Sequence, residues 1–247
     1  MRIVGGVQTE KCEYPWMTRL RMGSAMCGGS IIDAYHVVTA AHCVGQNTPA
    51  TISVHVGEYD YRNANEPNDQ VVPAAAIIKH PNYRDLPNGE QENDIAIIKL
   101  AKPLQMNSCV QPVCLAKAGD GQKLPPGTQC TTAGWGTTST GGQTSPILQE
   151  TTIPTYSGYD CSRYFSQTVP SNPNLQLCSG RPVIGGADTC QGDSGGPLFC
   201  PINGRYVQYG VVSYGAGCAS AGAAGVYTDV GNMRNFIDQV VNNQFGK

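Results

Sequence analysis

Long apolar runs are missing from this chain of 247 residues. None reaches 18 residues, so no stretch reads as a membrane-spanning helix. Charge is scarce as well: charged residues are 14% of the sequence, against about 25% in an average soluble domain. Lys and Arg number 16 and Asp and Glu 18, for a net charge of −2. That balance excludes a strongly basic nucleic-acid binder and an acidic-tail protein. No Asn-x-Ser/Thr sequon is present, so N-glycosylation is not expected. No repeat at solenoid or propeller spacing is found. A secretory leader, with its charged start and apolar middle, is absent too. Met1-Arg2 runs straight into Ile3-Val4-Gly5-Gly6, which reads as the processed part of a longer precursor behind an added start Met.

Cysteine, by contrast, is plentiful, with 11 residues. A reducing cytosol seldom favours so many unless they bind metal. Zinc sites need close pairs such as Cys-x2-Cys, and the tightest spacing here is Cys109 to Cys114. Disulfides and an extracellular, secreted setting are therefore expected. The count is odd, which leaves one cysteine free or bonded to another chain. Glycine (30) and proline (17) are also abundant and suit many turns between short strands.

Apolar, β-branched runs of strand length recur between turn signals: Ser30 to Ile32, Val37 to Thr39, Thr51 to Val56, Ile95 to Leu100, Val207 to Ser213 and Val226 to Thr228. Only the end reads as a helix, with Met233, Phe236, Ile237, Val240 and Val241 on one stripe. The expectation is an all-β chain with a C-terminal α-helix. Leu115 to Pro126, rich in Gly and Pro, reads as a linker between two halves.

Three short motifs carry chemistry. Gly192-Asp193-Ser194-Gly195-Gly196 places a serine among glycines, where the backbone turns tightly and a substrate approaches closely. The N–H groups of Gly192 and Ser194 suit an oxyanion hole. The Gly-Gly-Pro that follows Ser194 cannot open the helix an α/β-hydrolase needs there. Taken alone, the stretch reads more readily as a plain glycine-rich turn. His42, in Thr39-Ala40-Ala41-His42-Cys43, is one of four histidines and a candidate general base, or a core histidine beside a disulfide. Asp94 heads the apolar run Ile95 to Ile98, where a carboxylate needs a partner such as a His ring N–H, or simply caps a strand.

Together these motifs, in the order His42, Asp94, Ser194, resemble a serine protease of the trypsin/chymotrypsin family, on its trypsin-like branch. Further matching stretches are Ile3-Val4-Gly5-Gly6, Cys27-Gly28-Gly29-Ser30, Ala133-Gly134-Trp135-Gly136, Cys190 to Pro197 and Gly225-Val226-Tyr227-Thr228. The resemblance covers Ile3 to the C-terminal helix. It implies two six-stranded antiparallel β-barrels, roughly residues 3–115 and 127–232, in one protease domain over 3–247, with 1–2 a remnant of the activation site. It implies a catalytic triad of His42, Asp94 and Ser194 and an oxyanion hole at Gly192 and Ser194. It also implies a pocket with Asp188 at its base and Gly215 and Gly225 along its walls, cleaving after Arg or Lys, with Ser213 to Gly215 supplying backbone partners for an extended substrate. Two positions depart from common family usage: Tyr214 stands where many relatives have Trp, and Thr189 where Ser or Ala is common.

The same resemblance implies activation by cleavage after Arg2, with the freed Ile3 amine pairing with Asp193. It implies disulfides Cys27–Cys43, Cys130–Cys200, Cys161–Cys178 and Cys190–Cys218. Cys12, Cys109 and Cys114 remain. Pairing Cys12 with Cys109 leaves Cys114 for a disulfide-linked N-terminal light chain, and a Cys12–Cys114 bridge is the alternative. Partners are protein or peptide substrates and protein protease inhibitors. No cofactor is required and no metal is assigned, although Glu58, Glu66 and Asp69 are hard oxygen donors where some trypsins bind calcium.

Overall fold

The computed structural model describes residues 6–137, 142–183, 192–215 and 221–242. In chain order the strands are β1 (Val7–Gln8), β2 (Met17–Met22), β3 (Ala25–Ile31), β4 (His36–Thr39), β5 (Ser53–Val56), β6 (Gln70–Lys79), β7 (Arg84–Asp85), β8 (Gln91–Glu92), β9 (Ala96–Leu100), β10 (Cys114–Leu115), β11 (Thr128–Gly134), β12 (Gln149–Ser157), β13 (Gln176–Ser179), β14 (Pro197–Ile202), β15 (Arg205–Gly215) and β16 (Gly225–Asp229). The helices are α1 (Ala41–Val44), α2 (Gly158–Tyr164) and α3 (Arg234–Val241).

Strands β2, β3, β4, β9, β6 and β5 pair in that order and close into a barrel. The closing pair sets Thr18 opposite Val56. Strands β11, β12, β13, β16, β15 and β14 form a second closed antiparallel ring. The chain therefore builds the two six-stranded barrels expected of it. Side-chain alternation explains the inward faces: in β5, Val54 and Val56 are buried while Ser53 and His55 are half-buried. Strand β9 lies between β4 and β6, and its Ala96, Ile97, Ile98 and Leu100 are all buried.

Each barrel holds an end of the described chain that lies beyond the other. β1, which precedes the first barrel, pairs with β12 of the second. α3, which follows the second barrel, buries Met233, Phe236, Ile237 and Val240 in the core of the first. Each such side chain contributes about 1.5–3 kcal/mol when removed from water. The Phe236 ring also meets His80 edge-on, with centroids 4.9 Å apart. The segment read as a linker is docked on the second barrel: β10 pairs in parallel with β15, and Gly121 is buried against Asp229.

Four disulfides form among the described residues: Cys12–Cys109, Cys27–Cys43, Cys130–Cys200 and Cys161–Cys178. Cys114 is exposed and unbonded, and Cys190 and Cys218 lie outside the described residues.

Two helices were not expected from the sequence. α1 is a four-residue turn, too short for a helical period to show. α2 starts at a capping pair: the Ser157 hydroxyl accepts from the Asp160 N–H at 3.3 Å and donates to its carboxylate at 2.8 Å. Ser157→Ala is expected to destabilise the protein by about 0.5–2 kcal/mol. Urea unfolding measures this, and an unchanged midpoint would show that the cap contributes nothing.

Candidate active site

His42 sits in α1, just after β4, and the Cys27–Cys43 disulfide ties that turn back to β3. Asp94 lies two residues before β9 and is wholly buried at 0% exposure. The bend ahead of it falls on Asn93, whose φ of 51° is left-handed, a conformation Asn tolerates better than most residues. The two residues meet directly. The His42 backbone N–H donates to Asp94 Oδ1 at 2.9 Å, and His42 Nδ1 lies 2.7 Å from Oδ2. Ser213, on β15, donates its hydroxyl to the same Oδ2 at 2.6 Å. Thr228, on β16, donates to the Asp94 carbonyl at 2.9 Å. A carboxylate that takes the Nδ1 proton as a hydrogen bond leaves Nε2 to act as base.

Ser194 belongs to the second barrel and is carried to the first by close backbone contact. The Gly28 N–H on β3 donates to the Ser194 carbonyl at 2.8 Å. A Cβ on Gly28 would lie 2.8 Å from Gly196 Cα, so no larger residue fits the seam. Gly195 adopts φ +77°, and a Cβ there would lie 2.2 Å from Thr39 Oγ1. Among the described residues no acceptor takes the N–H of Gly192 or of Ser194, and both residues are part-exposed. Such a pair of free donors can hold a developing oxyanion. No hydrogen bond joins Ser194 Oγ to the His42 ring among the described residues, and Nε2 lies 3.7 Å from Cys43 Sγ. Looser contact between nucleophile and base is common before substrate binds.

Asp193, beside Ser194, is also fully buried. Its carboxylate accepts from the Gly136 N–H at 2.8 Å. It fills space left by two glycines: a Cβ on Gly136 would lie 2.5 Å from the Asp193 Cγ, and one on Gly134 2.1 Å from Oδ1. Gly215 and Gly225 are partners across β15 and β16. The end of β15, Ser213 to Gly215, pairs with β16 and with no second strand among the described residues. Ile3, Asp188, Thr189, Cys190 and Cys218 lie outside the described residues.

The sequence reading named Ser213 for its backbone and missed its hydroxyl bond to Asp94, and it missed Thr228 altogether. Thr228 stood within the quoted stretch Gly225 to Thr228, but nothing local marks a hydroxyl that answers a residue in the other barrel.

Beside the acidic loop, His55, Glu58 and Asp69 bring one donor atom each within 4.8 Å of one another, but Glu58 is already engaged. Both Glu58 oxygens accept from the Arg19 guanidinium, at 2.5 and 2.6 Å, in a buried pair. One Glu66 oxygen takes the backbone N–H groups of Tyr59 and Asp60. Asp69 Oδ1 is buried without a hydrogen-bond partner. Burial first, then the charge of Glu58, pushes the Asp69 carboxyl up to about 6. These residues do not fit calcium, because the cation that answers Glu58 is already part of the chain.

The arrangement defines a class. The Trypsin family profile matches residues 3–237, and the chain belongs to that family of serine endopeptidases. Serine protease 1 of Rattus norvegicus is 39% identical over 241 residues, covering 97% of this chain and 90% of that protein. Cationic trypsin-3 of the same species is 39% identical with the same coverage. Ovochymase-2 of Mus musculus is 38% identical over 250 residues, and the chain spans 40% of its length.

Burial alone would push the His42 imidazole down, but its hydrogen bond to Asp94 and the charge of that carboxylate, with Asp85 adding, hold it above its ordinary value. A raised imidazole contributes stability that is fully present below the unfolded value of about 6.5 and is lost as pH rises through the folded value. The acid limb of kcat/KM is expected above about 6.5. Asp94→Asn is expected to lower kcat on the order of 10⁴-fold and to shift that limb downward. A pH profile of both proteins is the check, and a wild-type limb at or below the ordinary value would contradict the pairing.

Proposed function

We propose that this protein is a secreted endopeptidase that hydrolyses peptide bonds after Arg or Lys. The observation that carries the chemistry is the buried Asp94 carboxylate, bonded to His42 across from a Ser194 loop in which the N–H groups of Gly192 and Ser194 have no acceptor among the described residues. Ser194 Oγ attacks the scissile carbonyl and passes its proton to His42 Nε2. The N–H groups of Gly192 and Ser194 take the oxyanion. Asp94 steadies the imidazolium, which then protonates the leaving amine. Water, deprotonated by the same ring, attacks the acyl-enzyme and frees Ser194. One oxyanion donor of this kind is typically worth about 2.7–4 kcal/mol in the transition state.

The specificity rests on Asp188, on Gly215 and Gly225 as small wall residues, and on the trypsin name of one relative. A carboxylate at the base of an apolar slot needs a cation, and Arg or Lys supplies it. Ser213 to Gly215 is an open strand edge to which an extended substrate adds. Activation follows cleavage after Arg2, when the Ile3 amine reaches Asp193 and orders the oxyanion loop. Cys114, the exposed thiol, is the attachment point for a disulfide-linked light chain. Four disulfides suit an oxidising compartment, and no helix among the described residues is long and apolar enough to cross a membrane. Protein protease inhibitors are further partners.

Kinetics on matched peptide amides ending in Arg, Lys and Phe test this reading, with the chain cut after Arg2 and left uncut. Strong cleavage after Arg and Lys is expected from the cut enzyme, with little from the uncut chain and none from Ser194→Ala. Cleavage after Phe would discard the role of Asp188, and full activity of the uncut chain would discard activation at Arg2. Calcium forms no part of the proposal. Melting temperature is expected to stay the same in calcium and in chelator, and a rise of several degrees with calcium would show that an ion competes with Arg19.

A further inference from the structure

Gln176, at the start of β13, is 1% exposed. A primary amide withdrawn from water must find partners for both its ends. Here both ends are used. Nε2 donates to the Gln91 carbonyl at 2.7 Å. Oε1 accepts from the Asn172 N–H at 2.9 Å and from the Ser171 hydroxyl at 3.2 Å. Ser171 in turn holds Tyr214: its N–H donates to the phenolic oxygen at 3.1 Å, and the phenol lies 3.3 Å from Ser171 Oγ. One side chain thus joins β8, which leads to Asp94, to the turn at Ser171 and to Tyr214 on β15.

Tyr214 follows Ser213, whose hydroxyl rests on Asp94, and it stands on the part of β15 that has no second strand beside it. A peptide adding to that edge runs alongside Tyr214. The triad has its own supports in Ser213, Thr228 and the His42 backbone. The Gln176 bonds are separate from them and reach only the wall.

We propose that Gln176 is a positioning residue for extended substrates. It fixes Tyr214 and the Gln91 segment as one rigid wall for peptide residues on the N-terminal side of the scissile bond. Glutamine suits the task because it donates to one segment and accepts from another. A carboxylate would face the Gln91 carbonyl, and a thioether would leave all three partners unanswered.

The inference rests on the site assigned under Proposed function, and the test keeps the two failures apart. The full chain, cut after Arg2, is assayed on two amides ending in the residue that the wild type prefers. One is a single amino-acid amide and the other a tetrapeptide amide. For Gln176→Met the ratio of tetrapeptide to single-residue kcat/KM is expected to fall about five- to tenfold, carried by KM, as hydrogen bonds of this kind are lost. Tyr214→Phe, which removes one hydroxyl and keeps the ring, is expected to lower the same ratio by a smaller factor. It also serves if Gln176→Met does not fold. An equal fall on both substrates, or an unchanged ratio in both variants, would overturn the inference and leave Gln176 a purely structural amide. Failure of the wild type to cleave either substrate would overturn the site assignment, and the inference with it.

Discussion

A carboxylate taken out of water must be met by donors, and at Asp94 those donors come from opposite halves of the molecule. His42 supplies its backbone and ring N–H groups from a turn on the first barrel. Ser213 supplies its hydroxyl from β15 of the second. Removing one partner from a buried, charged pair typically costs about 3–5 kcal/mol. The cleft geometry is therefore coupled to folding: barrels displaced from one another would leave Asp94 short of a donor. The same bonds fix the tautomer and orientation of the imidazole, so the requirement that holds the barrels together also prepares the base.

The nucleophile is carried to the first barrel by a different kind of constraint, which is steric. The Ser194 loop lies against β3 where Gly28 and Gly196 leave room for two backbones to touch. Asp193, at the root of the loop, occupies space that side chains at Gly134 and Gly136 would fill. These glycines are far apart in sequence, and their shared purpose is visible only when the barrels close on each other. The crossed ends of the chain, β1 on the second barrel and α3 on the first, hold that closure from outside the cleft.

How much of this was legible in the sequence depends on the range over which each signal acts. Apolar strands such as β9 and the alternation in β5 are local signals, and both strands end where the sequence placed them but begin later, β9 at Ala96 and β5 at Ser53. The stripe of α3 was equally plain, with the helix itself beginning at Arg234 and Met233 as its cap. β2 was not legible. Its Met-Thr-Arg-Leu-Arg-Met run looks too charged for a barrel strand, yet Arg19 is buried because Glu58 answers it. α2 was legible in principle from Ser157 and Asp160, but seven residues give little period to see. In the site, the order of His42, Asp94 and Ser194 was readable as a motif. The hydroxyls of Ser213 and Thr228 were not, because each answers a residue more than a hundred positions away.

Buried polar residues in this chain are thus understood only in company. Arg19 supplies within the protein the positive charge that a cluster of acids would otherwise take from solution. It also stands 3.3 Å from His55 Nδ1. Burial first, and then the Arg19 charge, holds that imidazole below its ordinary value. Asp69 receives no comparable answer, and its carboxyl rises accordingly. Gln176 makes the same point without charge, since its two ends tie together segments that share no local pattern. Each of these side chains looks misplaced when its own strand is considered alone. Each is placed by a partner from another strand or loop, and those partners set the shape of the cleft and of the loop beside it.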